Sequence, residues 1–279
     1  MTNNSTISAL TQVQTVEPQI ETITPARASQ LLAMNVRNRN IRKNVVARYA
    51  QDMADGRWHF NGAPILIGKD GTLYDGQHRL MAIVQSGCAL QMVVMYGVAE
   101  NAKYTIDSGT SRTPGDILTF AGHSEANATA AVARIVMAVE DGKTFIGYRP
   151  SNVSIQEWVE DNPEIDQAIR VYLLARRQVP CSPSIVGAAF LLCYRIDPED
   201  AEEFFVTKFI NTEGLTADDP VKALRHLLGN LTGRSSEGRR YDQFRYILLA
   251  WNHFRDGRRM SRIQAPRGGW NRDNFPTPR

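Results

Sequence analysis

Five consecutive residues, Asp75-Gly76-Gln77-His78-Arg79, bring together a carboxylate, a glycine, an amide, an imidazole and a guanidinium. Upstream, Pro64 to Gly68 reads as a short buried strand, and Lys69-Asp70-Gly71-Thr72 as a hairpin turn into a second strand at Leu73-Tyr74. Beyond Gly76 the apolar residues Leu80, Ile83 and Val84 recur at helical spacing, with Gly87 as the helix stop. The five residues therefore sit where a strand becomes a helix. Such a junction aims backbone N–H groups and the positive end of a helix dipole at one point, which suits a phosphate. Gly76 permits close approach of a ligand to the backbone, and Arg79, one turn in, can grip phosphate oxygens with two N–H groups. Asp75 would repel a bare phosphate. It fits such a site when a divalent cation such as Mg2+ bridges the two, and it equally fits the N-cap of the helix.

A second stretch of this kind is Ile106 to Pro114. It carries small and hydroxyl residues, Ser108, Gly109, Thr110 and Thr113, together with Asp107 and Arg112. Thr113 as N-cap and Pro114 at the first helical position make another anion-receptive helix start, and an ordinary capped loop would read the same way. Asp107 would add a second metal-binding carboxylate if the fold brings the two loops together.

The elements that must position these groups are legible in order. Residues 1 to about 17 read as a polar arm without periodicity. Gln19 to Ile23 alternates like a strand, and Thr24-Pro25 opens a helix through Leu31, Leu32 and Met34. Asn35 to Asn40 is a polar loop. Asn44 is the expected cap of a second helix, with Val45, Val46, Tyr49 and Met53 inward and Gly56 ending it; Trp58 and Phe60 are expected to pack next. Leu90 to Val98 is the strongest strand. From Ser124 the pattern is helical, with helices expected near 124–140, 154–161, 163–178, 183–195, 198–211, 219–230 and 239–257. Ser154 and Asp219-Pro220 mark helix starts. These elements imply an α+β chain with an N-terminal domain over 18–122, a helical domain over 123–260 and a basic tail over 261–279. Trp270 and Phe275 in that tail read either as aromatics for single strands or as anchors of a strap over the helices.

Composition narrows the classes. The chain has 279 residues and a formal charge of +3, but the positive charge is uneven. Leu231 to Arg279 holds eleven Arg, no Lys and four acids, and Pro25 to Gln51 holds six basic residues, among them Arg37, Arg39, Arg42 and Lys43, and no acid. Two such zones, the second including Arg258, Arg259 and Arg262, point to nucleotide or nucleic acid as partner. The longest nearly apolar stretch, Ser184 to Tyr194, is too short to span a bilayer. No charged segment precedes an apolar run near Met1, and the three cysteines, Cys88, Cys181 and Cys193, are scattered, so a cytoplasmic protein with free thiols and no membrane partner is expected. No P-loop, nucleophile elbow or histidine pair at metal-ligand spacing is present.

Asp75-Gly76-Gln77-His78-Arg79-Leu80 resembles the ParB/sulfiredoxin superfamily in its DGQHR branch. Gly56-Arg57-Trp58, Asn61-Gly62, the central motif and Ile106 to Arg112 also resemble, in that order, an uncharacterised family common in phages and integrated elements. The resemblance covers roughly residues 20 to 122. It implies a ParB/sulfiredoxin-like α+β domain followed by an all-α domain, with ATP or CTP and Mg2+ as ligands. Gly76, Gln77, His78 and Arg79 would cradle phosphates, and Asp75 would hold the metal or orient a water. The reactive cysteine of sulfiredoxins has no counterpart beside the motif, so a sulfinic-acid reductase is not expected.

The leading expectation is an NTP-binding protein that hydrolyses or transfers a phosphoryl group in connection with DNA. Asp75, Gln77 and His78 would be its catalytic groups, and Ser108, Gly109, Thr110, Arg112 and Thr113 would add nucleotide contacts. The rivals are a non-enzymatic DNA-binding regulator working through the two basic zones, and a nuclease using Asp75 and Asp107. A second copy of the chain is a further expected partner.

Overall fold

The computed structural model describes residues 16–36, 38, 40–100, 102, 112–231, 236–270 and 274–279. They form an α+β structure of two compact units, divided between Ser111 and Arg112. The helix at Pro114 thus belongs to the second unit, although a boundary near residue 122 is expected from the sequence.

The first unit contains β1 (Glu17–Ile23), α1 (Pro25–Ala33), α2 (Lys43–Ala54), β2 (Ile65–Gly68), β3 (Leu73–Asp75), α3 (Gln77–Ser86) and β4 (Leu90–Val98). The sheet order is β1-β4-β2-β3. β4 pairs antiparallel with β1 and parallel with β2, and β2 and β3 form the expected hairpin. As the longest strand, β4 lies inside the sheet, where its Met92, Val94 and Val98 are buried. Thr24 caps α1 by accepting from the Arg27 N–H, with Pro25 in the first turn.

Three local expectations are corrected. The cap of α2 is Arg42 in extended backbone, not Asn44, and it makes no side-chain capping bond; the chain enters this helix from a loop held by tertiary contacts. Val84 is exposed, as is Phe60. α3 packs against both α1 and α2, so its buried face turns through Leu80, Ala82 and Ile83. Trp58, by contrast, packs edge-on against Tyr49.

The second unit contains α4 (Pro114–Phe120), α5 (Ala126–Glu140), α6 (Asn152–Asp161), α7 (Ile165–Ala175), α8 (Pro183–Tyr194), α9 (Pro198–Glu202), α10 (Pro220–Gly229) and α11 (Ser236–Arg255). Ser151, not Ser154, caps α6, and it accepts from the Ser154 N–H. Asp219 caps α10 as expected. The expected helix over 198–211 divides: after α9 the chain continues as a π-helix over Glu203–Ile210. This wider winding, uncommon over so many residues, turns Phe204, Phe205 and Phe209 inward around Trp251 of α11. Here packing of large aromatics overrides the local preference for the tighter helix.

The tail runs as a strap over α11. Trp270 packs edge-on against Tyr246, and Phe275 lies against Tyr241 and Phe244. Near the end, Trp251 Nε1 donates to the Arg279 carbonyl and Asn252 Nδ2 to that of Thr277. His253 directly follows these two anchoring residues in α11. Burial, followed by the charges of Arg258 and Arg279, lowers its pKa against the opposing pull of Asp256. The unfolded chain therefore binds this proton more readily than the folded one. Stability is expected to be full above about pH 6.5 and to fall as the pH drops through that value. Thermal unfolding across this range should show the loss in the wild type and a flatter profile in His253→Gln; parallel profiles would exclude His253 as the cause.

Candidate functional site

The site builds up from Gly76. This residue adopts φ of 105° between β3 and α3, a left-handed conformation that side chains disfavour. A Cβ there would lie 2.4 Å from Ile65 Cδ1, so the glycine also lets the helix start press directly onto β2. Thr24, Thr113, Ser151 and Asp219 cap their helices with side-chain oxygens, whereas Gly76 has none to offer. Asp75 is thus the last residue of β3 and not the N-cap.

The Asp75 carboxylate receives the Arg79 guanidinium at 2.9 Å, one helical turn along. Arg79 donates as well to the carbonyls of Ala63 and Pro64, the latter at 2.8 Å. Both side chains are largely buried, with 13% and 20% of their surface exposed for Arg79 and Asp75. The guanidinium thus ties the chain entering β2 to the β3–α3 junction. A carboxylate already neutralised in this way does not fit a resident Mg2+ site, because a dication beside the guanidinium would face like charge. Among the described residues no group of three metal-ligating side chains is found.

Gln77 and His78 point inward and are buried. Asn35 Nδ2 donates to Gln77 Oε1 at 3.1 Å, and the Arg42 N–H donates to His78 Nε2 at 3.0 Å. Asn38 Nδ2 donates to the carbonyls of Leu73 and Tyr74, and the Met34 carbonyl accepts from Leu73 N–H. The polar loop between α1 and α2 is therefore bonded down onto β3 and the first turn of α3. It ends in Arg42, with Lys43 next at the start of α2, and both are exposed. The same contacts leave Asn35 Oδ1 buried without a hydrogen-bond partner. Asn35 and Asn38 were legible in the sequence only as members of an asparagine-rich loop; nothing local indicates what they hold.

A small cleft nearby is lined by Trp58, Phe60, Ala63, Arg79 and Met92. It encloses about 10 Å3, far less than the roughly 300–1,000 Å3 of typical ligand pockets. Asn61 Oδ1 accepts from the Ala63 N–H, a turn that carries the chain past Arg79.

Asp107, Ser108, Gly109 and Thr110 are outside the described residues, as are Arg37 and Arg39. Arg112 and Thr113 belong to the second unit. There Thr113 forms a capping box with Asp116, and its backbone and side-chain hydrogen bonds hold the Asp116 carboxyl below its ordinary pKa. Arg112 lies over the Phe120 ring. In the tail zone Arg258 pairs with Asp256 and Arg259 with Asp218, while Arg262 is exposed. No helix is long and apolar enough to cross a membrane among the described residues. No protein-family model, curated protein or solved structure matches the chain.

Proposed function

We propose that the first unit binds a nucleotide between the first turn of α3 and the basic loop that leads into α2. The observation that carries this reading is the bonding of that loop onto the motif. It brings Arg42 and Lys43 to the side of a helix start whose cap position bears no side-chain acceptor. Backbone N–H groups and the helix dipole attract a phosphate there, and the two exposed cations add to the attraction. The orphaned Asn35 Oδ1 calls for a donor, which a ribose hydroxyl or a base amine supplies. ATP or CTP fits this demand. In this arrangement Asp75 and Arg79 are positioning residues, and Gln77 and His78 hold the loop. No phosphoryl-transfer step is assigned to them.

Calorimetric titration of ATP, CTP and GTP tests the reading. Replacing Arg42 and Lys43 together by Ala is expected to weaken binding by about tenfold or more, since a charge-assisted hydrogen bond is worth roughly 1.5–3 kcal/mol. Unchanged affinity in that variant, or no binding to the wild type, would remove the proposed site.

One observation favours a second reading, in which the chain is a DNA-binding regulator. Arg42 and Lys43 are exposed and have no ion-pair partner among the described residues. DNA affinity that falls steeply with salt and weakens in the same double variant would support it; a flat salt response would count against it.

A further inference from the structure

Arg149 and Arg240 of the second unit both stand close enough to Arg134 to repel it, and none of the three pairs with an acid among the described residues. Arg134 is the only charged residue of α5 before Glu140, in a helix whose other residues are mostly apolar and buried. One of its terminal nitrogens donates to the Tyr148 carbonyl at 3.3 Å, which places the loop before α6, and Arg149 in it, beside α5. Phe145 of the same loop packs against Tyr241 and Phe244 of α11. Arg240, one residue before Tyr241, reaches the start of α8, where it donates to Ser184 Oγ at 3.2 Å. Ser184 Oγ lies 3.1 Å from the Ser182 hydroxyl, in the first turn of a helix whose positive dipole end faces Arg240.

Like charge thus stands near like charge. Burial, then repulsion from Arg149 and Arg240, lowers the pKa of Arg134. None of the three arginines has an ion-pair partner among the described residues, although acids elsewhere in the unit pair repeatedly. The Nε atoms of Arg134 and Arg240 are moreover buried with no hydrogen-bond partner. Buried guanidinium N–H groups without acceptors are costly, and buried charge is normally paired. Arg149 is exposed, so the cluster opens to solvent on one side.

We propose that Arg134, Arg149 and Arg240, with the Ser184 hydroxyl, form a binding site for a tetrahedral phosphate group. A compact anion carrying two negative charges supplies the acceptors that both Nε atoms lack and offsets the mutual repulsion. Two guanidinium groups recessed in the helical unit and one at its surface suit a single terminal phosphate better than a continuous backbone. The site is separate in sequence and in unit from the one proposed at α3, and it does not depend on that reading.

The test uses the full chain and inorganic phosphate. At constant ionic strength, phosphate is expected to raise the thermal midpoint above its value in chloride, and calorimetry should report saturable binding. Arg149→Gln, a surface change that leaves the buried contacts in place, should weaken that binding at least tenfold without lowering the midpoint in chloride, because it relieves repulsion. The Arg42→Ala/Lys43→Ala variant should retain the phosphate effect, which separates this site from α3. A dinucleotide with a 5′-phosphate, compared with its 5′-hydroxyl counterpart, identifies the source: preference for the phosphorylated form over inorganic phosphate assigns a phosphate ester, and equal binding assigns the free ion. A midpoint that responds to phosphate no more than to chloride, or a response unchanged in both Arg149→Gln and Arg240→Gln, would overturn the proposal.

Discussion

Replacing Arg79 by Ala is expected to destabilise the first unit by about 2–4 kcal/mol, with or without nucleotide present. The side chain closes three contacts at once, to Asp75 and to the carbonyls of Ala63 and Pro64. Removing it strands a mostly buried carboxylate and the part-buried Pro64 carbonyl, and unpartnered buried groups cost roughly 1–3 kcal/mol each, whereas the exposed Ala63 carbonyl turns to water. Partial solvent access to the carboxylate keeps the total below the roughly 3–5 kcal/mol of a fully buried broken pair. Asp75→Asn should cost less, because the guanidinium keeps both carbonyls. The comparison separates two roles for the motif. If Arg79 served mainly as a phosphate ligand, Arg79→Ala would leave the nucleotide-free unfolding midpoint unchanged and lose affinity alone. That result would sink the positioning role.

The second large effect is expected at Gly76. An Ala there must hold a left-handed φ, at about 1–2 kcal/mol, and must also displace Ile65 Cδ1 from 2.4 Å. Overpacking of this kind costs roughly 1–3 kcal/mol more, for a total of about 2–5 kcal/mol in denaturant unfolding. Gly87 provides the control. Its φ is 73°, yet nothing lies within 4 Å of a Cβ there, so Gly87→Ala should show the backbone term alone. Ile65→Val removes the offending methyl and should recover part of the Gly76→Ala loss in a double-mutant cycle. Equal costs at Gly76 and Gly87, with no recovery, would show that contact with Ile65 is not what demands a glycine. Such a result would leave the close approach of α3 to β2 unexplained by this packing.

Features decided by neighbours along the chain were legible in the sequence. Thr24-Pro25, Thr113-Pro114 and Asp219-Pro220 each start a helix as expected, because a cap acts within one turn of backbone. The hairpin through Gly71, the strand-to-helix change at Gly76 and the run of β4 follow from turn chemistry and apolar spacing. The strap carrying Trp270 and Phe275 was one of two open readings. Its packing on α11 is decided by Tyr241, Phe244 and Tyr246, which stand roughly thirty residues upstream.

The sequence by itself determined that a carboxylate and a guanidinium stand one helical turn apart beside a glycine, at a junction suited to a phosphate. Only the tertiary structure decided that these two charges satisfy each other. The Ala63 and Pro64 carbonyls that complete Arg79, and the loop through Asn35 and Arg42 that engages Gln77 and His78, come from distant parts of the chain. A side chain's list of possible partners is a local property. Which partner it takes depends on what the fold leaves within reach and away from water. For the same reason Arg134, Arg149 and Arg240, far apart in sequence, come near one another with no paired acid among the described residues only once α5, α8 and α11 have packed.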